Sequence, residues 1–249
     1  MAGEFNISFA DTLRSPDSVF SIRTQNRDFN TEAFDREEAN LFETQFNTFV
    51  NDFDSRMVSE LFVQRADQIA LAANHAKQNF DERRFGGINS GDNEIAFDVI
   101  RPGHIRADPE SGDVINDWEY EVGAGEDGWN DWVGDGTSDN DYTVDEDQVI
   151  IMMGLQLLNV GDETDETSLS GINIQRFGRN VDMLPKDLYN MTVSDNENDV
   201  FMQALPTVIA TDRDRIHMRL RSDEEDATYD VRPLGLTFGV GAFMNQEDF

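Results

Sequence analysis

The sequence predicts a mainly β protein: an antiparallel β-sandwich or jelly roll that carries an N-terminal extended arm and a helical pair. Three observations carry this expectation. Beyond residue 91, about eight short strand-like segments follow one another at near-regular spacing, with no helical period between them. One of these, QVIIMMGLQLLN (148–159), is the most apolar run of the chain and is bracketed by acidic turns. It is too short to cross a bilayer, and it suits a strand buried on both faces. Upstream, Phe42, Phe46, Phe49 and Phe53 recur at spacings of 4, 3 and 4, which is a helical stripe. The organisation expected is therefore an arm over 1–34, a helical segment over 35–90 and a sandwich over 91–249.

In chain order, residues 1–34 spread Phe5, Ile7, Phe9, Leu13, Val19, Phe20, Ile22 and Phe29 through polar surroundings, with a turn at Ser15-Pro16-Asp17. Only 19–23 (VFSIR) alternates. A segment without a core of its own needs a body to cover its Phe side chains, in its own chain or in a neighbouring subunit. Next come helices over 35–53 and 55–83, or one long bent helix. Leu41 and Val50 widen the first stripe, and Asp54 or Ser55 caps the second helix. Gly86-Gly87 ends the pattern. This helical pair either lies on its own sheet or packs against other subunits.

Strands are expected at 95–100 (IAFDVI), 114–122 (VINDWEYEV), 148–159 and 171–177 (GINIQRF). Gly154 and the β-branched Val149, Ile150 and Ile151 favour strand over buried helix in the apolar run. Residues 123–147 read as a Gly/Asp-rich loop. Pro206 makes 200–212 an edge strand or breaks it. RIHMRLR (215–221) alternates, with Ile216, Met218 and Leu220 on one face and Arg215, His217, Arg219 and Arg221 on the other. Residues 228–244 hold two strands, or one bulged around Pro233 and Gly239. No internal repeat or low-complexity stretch is present.

Composition narrows the habitat and the partners. Asp and Glu number 51 against 19 Lys and Arg, a net charge of −32, and the only lysines are Lys77 and Lys186. Such a surface repels phosphates, so direct nucleic-acid binding is not expected. The 38% hydrophobic content and 18 Phe argue against an acidic disordered chain. In molar salt the Debye length falls to about 3 Å and the self-repulsion is screened. No membrane span and no Sec-type leader are read from the sequence. With no cysteine, disulfides and thiolate chemistry are ruled out.

No catalytic motif is found. His75, His104 and His217 fall in a helix, a turn and a strand without metal-ligand spacing. There is no GxSxG, P-loop or GxGxxG. Within 126–147, Asp135, Asp139, Asp141, Asp145 and Asp147 are candidate ligands for a calcium, magnesium or sodium ion, since converging carboxylates otherwise repel. The glycine and the glutamate of a calcium loop are missing, and a salt-adapted loop is the plainer account. All three tryptophans lie in 118–132. Trp129 and Trp132 are candidate subunit anchors, with a satellite core and a sugar-stacking platform as the alternatives. Arg215 and Arg219 suit pairing with acidic loops, within one subunit or between subunits.

The residues from VIIMMGLQLLN through VRPLGLTFGVGAFM, within about 95–249, resemble jelly-roll capsid or capsid-decorating proteins. The scarcity of Lys, with Arg kept and Asp above Glu, resembles the proteins of haloarchaea and their viruses. The resemblance implies a non-enzymatic shell, turret or cement protein. Such a protein forms homo-oligomers, contacts other virion proteins, resides in the virion and assembles in a high-salt host cytoplasm. Its interface residues are then expected to include Phe5, Phe9 and Phe20 of the arm, with Phe42, Phe46, Phe49 and Phe53 of the helices. Tailed haloarchaeal viruses use another shell fold, with a long helix before a mixed domain, and that reading stays open. So do a carbohydrate-binding surface protein touching a host glycan through its tryptophans and a halophilic enzyme with unmarked carboxylates.

Overall fold

The structure is a computed structural model that describes residues 36–53, 55–83, 95–106, 115–123, 128–137, 140–145, 148–159, 169–177, 181–182, 186–187, 194–195, 200–223, 225–226 and 228–240. The apolar run forms β5 (Val149–Asn159), flanked on one side by β12 (Thr228–Val240) and on the other by β10 (Val200–Ala210). Beyond β12 lie β1 (Ile95–Val99) and the short β2 (Glu119–Glu121); beyond β10 lies β9 (Ser194–Asp195). A second sheet has the order β3 (Gly128–Val133), β11 (Arg215–Ser222), β6 (Leu169–Phe177), β7 (Val181–Asp182). Two short strands join it: β4 (Tyr142–Thr143) on β11, and β8 (Lys186–Asp187) on β6. All the pairings are antiparallel.

Leaving aside the short β2, β4, β8 and β9, the strands described are, in chain order, β1, β3, β5, β6, the two-residue β7, β10, β11 and β12. Numbered one to eight, they run 1-8-3-6 in the first sheet and 2-7-4-5 in the second. That interleaving is the double Greek key of a jelly roll.

Strand β5 shows how one sequence feeds two cores. Ile150 and Met152 enter the core between the sheets, with Trp118, Trp132, Met218, Leu220 and Tyr229. Val149, Ile151 and Met153 point the other way, into a second core with Leu234, Leu236 and Phe238 of β12. Against β12, Gly154 faces Leu234 while Met152 faces Gly235, so Met153 is an extra, bulged residue. The bulge shifts the parity, and Leu155 lies with Ile150 and Met152 in the inter-sheet core. Gly235 fits here because a Cβ would overlap the Ile151 carbonyl oxygen.

The second core is roofed by helices. The Phe stripe forms α1 (Arg36–Asn51); α2 (Arg56–Gln64) and α3 (Ala66–Arg83) follow. Ala39, Phe42, Phe46 and Val50, at helical spacing on α1, are buried against the first sheet. Phe97 of β1 is the hub, with ring centroids 5.4 Å from Phe42, 5.9 Å from Phe46 and 5.4 Å from Phe49. The helices therefore lie on their own sheet, in a third layer. A one-turn α4 (Pro102–Ile105) follows β1.

Several boundaries differ from the sequence reading. The helix expected over 55–83 divides at Arg65, whose backbone leaves the helical region (φ −106°, ψ 11°) while its N–H reaches the Leu61 and Phe62 carbonyls. The expected loop 123–147 contains β3 and β4, because Trp129, Trp132 and Val133 take up the edge of β11. The strand expected over 114–122 shortens to β2. Residues 228–240 are one strand, with irregularities at Asp230/Val231 and Leu234/Gly235 rather than at Gly239. Pro206 sits where the β10 register jumps from Ala204 to Val208. Residues 1–34 lie outside the described residues.

Candidate functional site

The alternation of β11 is realised as expected. Ile216, Met218 and Leu220 are fully buried, and the polar residues take the outer face of the second sheet. That face is built of paired groups. His217 is buried, with Nε2 2.8 Å from an Asp131 carboxylate oxygen on β3 and Nδ1 3.1 Å from the Gln175 side-chain oxygen on β6. Arg219 lies 3.2 Å from the same Asp131 carboxylate and donates to the Trp129 carbonyl at 3.1 Å. Asn173, opposite Arg219, is also buried.

The β3–β4 connection folds onto this face. The Asp141 side chain is fully buried, accepting from the Gly136 N–H at 2.8 Å and facing Arg215 at 3.4 Å. Gly134 holds a positive φ of 71°, and a Cβ there would stand 2.6 Å from Asp141 Oδ1. Asp135 accepts from the Thr137 N–H at 2.8 Å and from the Asn140 amide at 2.7 Å. Hydrogen bonds from Thr137 and then Asn140, helped by nearby His217, hold its carboxyl below the usual carboxylate value. Thus Asp135 and Asp141 serve the turn itself. Asp145 lies across the connection, exposed, with its carbonyl accepting from Gln148 N–H. Asp139 and Asp147 lie outside the described residues. Among the described residues no three His, Cys, Asp or Glu side chains come together as a metal site. His75 on α3 and His217 on β11 belong to different layers.

The expected interface residues fall in different places in the structure. Phe42 and Phe46 are 3% and 0% exposed and face the first sheet, while Phe49 and Phe53 are half-buried against the same core. Among the described residues these helices cover the apolar outer face that β5 and β12 offer, while Phe49 and Phe53 keep part of their surface exposed. Trp132 is likewise internal, packed on Trp118 with centroids 5.6 Å apart. The bulge between Met218 and Arg219 in the β3–β11 pairing turns it inward. Arg215 and Arg219 pair within the chain. Trp129 stays on the outer face, opposite Arg221 and half-buried. Phe5, Phe9 and Phe20 fall outside the described residues.

One feature was not legible in the sequence: a cleft of about 410 Å³ at the end of the helix layer. The α1–α2 turn contributes Phe53 and Ser55, α2 Val58 and Phe62, the end of β1 Val99 to Pro102, and β12 Arg232 to Gly235. Trp118 and Gln156 complete it. None of these side chains is a carboxylate or an imidazole.

No family model matches the chain, and no curated protein matches it. Among solved structures, it is similar to the infectious bursal disease virus VP2 subviral particle at 9% identity and a TM-score of 0.27, covering 62% of this chain and 36% of that one. It is also similar to a family GH115 4-O-methyl-alpha-glucuronidase with specificity for decorated arabinogalactans. There the identity is 10% and the TM-score 0.23, over 62% of this chain and 17% of that one. The chain thus spans well under half of each. The jelly-roll assignment rests on the strand order, not on these likenesses.

Proposed function

We propose that the chain is a non-enzymatic structural protein of the virion of a haloarchaeal virus, forming part of the capsid shell or decorating it. The strand order carries this reading, since jelly rolls recur in viral shells as well as in lectins and cupins. The charge of −32 agrees with a life in molar salt, where association between like-charged copies is screened. The described residues lining the cleft include no carboxylate or imidazole and so give no support to acid–base catalysis there. The test is light scattering and electron imaging of the purified chain in molar salt. Multi-subunit particles that dissociate on desalting are expected, and removal of 1–34 is expected to leave a soluble protein that does not assemble. A stable monomer at high salt and micromolar concentration would sink the proposal.

A second reading, a carbohydrate-binding surface protein, is favoured by one observation. Trp129 alone of the three tryptophans lies on an outer sheet face, with Arg221 beside it. Its test is glycan-array binding that disappears in Trp129→Ala.

A further inference from the structure

We infer that the cleft between the α1–α2 turn and β12 receives an aromatic side chain from residues 1–34 of a second copy of this chain. The inference rests on the assembly reading and gives it a place on the molecule. If copies associate through apolar contacts, the described surface offers little else. The helices turn their Phe stripe inward, and Leu41 is the one large hydrophobic side chain exposed among the described residues. The cleft is walled by Phe53, Phe62 and Trp118, and its volume falls within the ~300–1,000 Å³ typical of ligand sites. It suits a ring and its flanking residues rather than a helix.

The rim of the cleft and the strand backbone beside it both fit an extended segment that carries a ring next to a carboxylate. Among the described residues no carboxylate side chain lines the cleft, whereas Arg101, paired with Asp98 at 2.7 Å, and Arg232 do. Arg232 is 47% exposed and directs two of its nitrogens to Asp230; a guanidinium carries five N–H donors, so one carboxylate does not exhaust it. Residues 1–34 hold five acids and three arginines (Arg14, Arg23 and Arg27), and Phe5 beside Glu4 and Phe9 near Asp11 are rings with an acid and no arginine within three positions. The cleft also sits at a gap in the sheet edge. On this side of β12, β2 pairs with Thr228–Asp230 and β1 with Leu236–Val240. Between them, among the described residues, only the Gly235 carbonyl is engaged, by the Ile100 N–H at 3.3 Å. An extended segment entering there meets strand backbone as well as the aromatic walls. Thirty-four residues reach at most roughly 110–120 Å, enough to cross to an adjoining subunit.

The absence of native cysteine makes the test clean. Full-length Ser55→Cys, carrying a short photoreactive label, is prepared with natural and with heavy nitrogen isotopes. The two are mixed, assembled in molar salt and irradiated, and the cross-linked peptides are weighed. Cross-links from one copy's residue 55 to residues 1–34 of the other isotope are expected. In parallel, Arg232→Glu in the full chain is expected to raise the concentration for half-assembly by a factor that grows severalfold as salt is lowered from the molar range, with an unchanged melting temperature. Particles that form with cross-links only within one copy or to other segments, or with no effect of Arg232→Glu, overturn the inference and leave the assembly reading standing. Failure to form any multi-subunit species removes both.

Discussion

The outer faces of the two sheets have opposite compositions, although one jelly-roll frame builds both. On the first sheet, β5 and β12 send Val149, Ile151, Met153, Leu236 and Phe238 outward, and three helices cover them. On the second, β11 sends out Arg215, His217, Arg219 and Arg221, which face the carboxylates of Asp141, Asp131 and Asp223. An apolar outer face has to find a lid, whereas a polar one closes by pairing its own groups. The period of the sequence decides which applies. A continuous apolar run demands two cores, and an alternating strand demands one.

The largest expected effect tests whether lid and sandwich are one unit. Phe46→Ala empties a site that is 0% exposed between Phe42, Phe49 and Phe97. A loss of about 3–5 kcal/mol is expected in denaturant titrations, with helix signal and tryptophan fluorescence falling together. Two separated transitions would break the comparison, because the helices would then be an independent body. Next is Gly235→Ala, whose new Cβ meets the Ile151 carbonyl and the Ile100 side chain. Overpacking against backbone in a central strand is expected to cost about 3 kcal/mol, read as a lower melting temperature. Ile100→Ala in the same background is expected not to restore it, because the Ile151 carbonyl cannot move without breaking the sheet.

These positions also show what the sequence made legible. The apolar run announced β5, and the alternation of RIHMRLR announced β11, because burial on two faces and on one leave distinct periods. The helical stripe announced α1, but its partner was ambiguous. A Phe face is the same whether it meets its own sheet or a neighbour, and only the outward residues of β5 and β12 decide between them. The expected 123–147 loop hid β3 and β4, because Gly and Asp density masks strand pairing made by backbone. The cleft was illegible for a different reason. Its lining comes from residues as far apart as Phe53 and Gly235, and no local pattern joins them. The Asp set of 126–147 was read by composition alone, which cannot tell a ligand from a carboxylate that caps its own turn.

The polar face offers smaller perturbations. Asp141→Asn keeps the shape but removes the charge facing Arg215 and weakens acceptance from the Gly136 N–H. A loss of about 2 kcal/mol is expected, with sharper hydrogen-exchange loss in 134–141 than in the helices. Smaller still is an alkaline effect at the seam between the sheets. Tyr142 donates to the Gln148 side chain, which donates to Thr237 on β12 at 3.1 Å. Burial, and then the Asp145 charge, push the Tyr142 phenol above its ordinary value of 10.0. The folded state therefore holds this proton more tightly than the unfolded chain. The stability it confers is whole below pH 10.0 and is lost as pH climbs through the raised value. Tyr142→Phe is expected to flatten the fall in stability above that pH, and an unaltered profile would place the alkaline sensitivity elsewhere.

The smallest expected effect sharpens the comparison from outside the lid. Leu41 stands next to Phe42 on α1 but is 40% exposed, while Phe42 is 3% exposed. Leu41→Ser removes apolar surface that the fold does not bury and slightly lowers helix propensity, so a stability change within about 0.5 kcal/mol is expected. Its value lies in a second reading of the same variant. If copies met through the outer face of α1, losing its one large exposed hydrophobic side chain would weaken assembly in molar salt severalfold at constant stability. If they meet through the cleft, assembly is expected to match that of the unaltered chain while Arg232→Glu impairs it. The pair of variants thus separates contact across the top of the helix layer from contact at its end, with fold stability as the shared control.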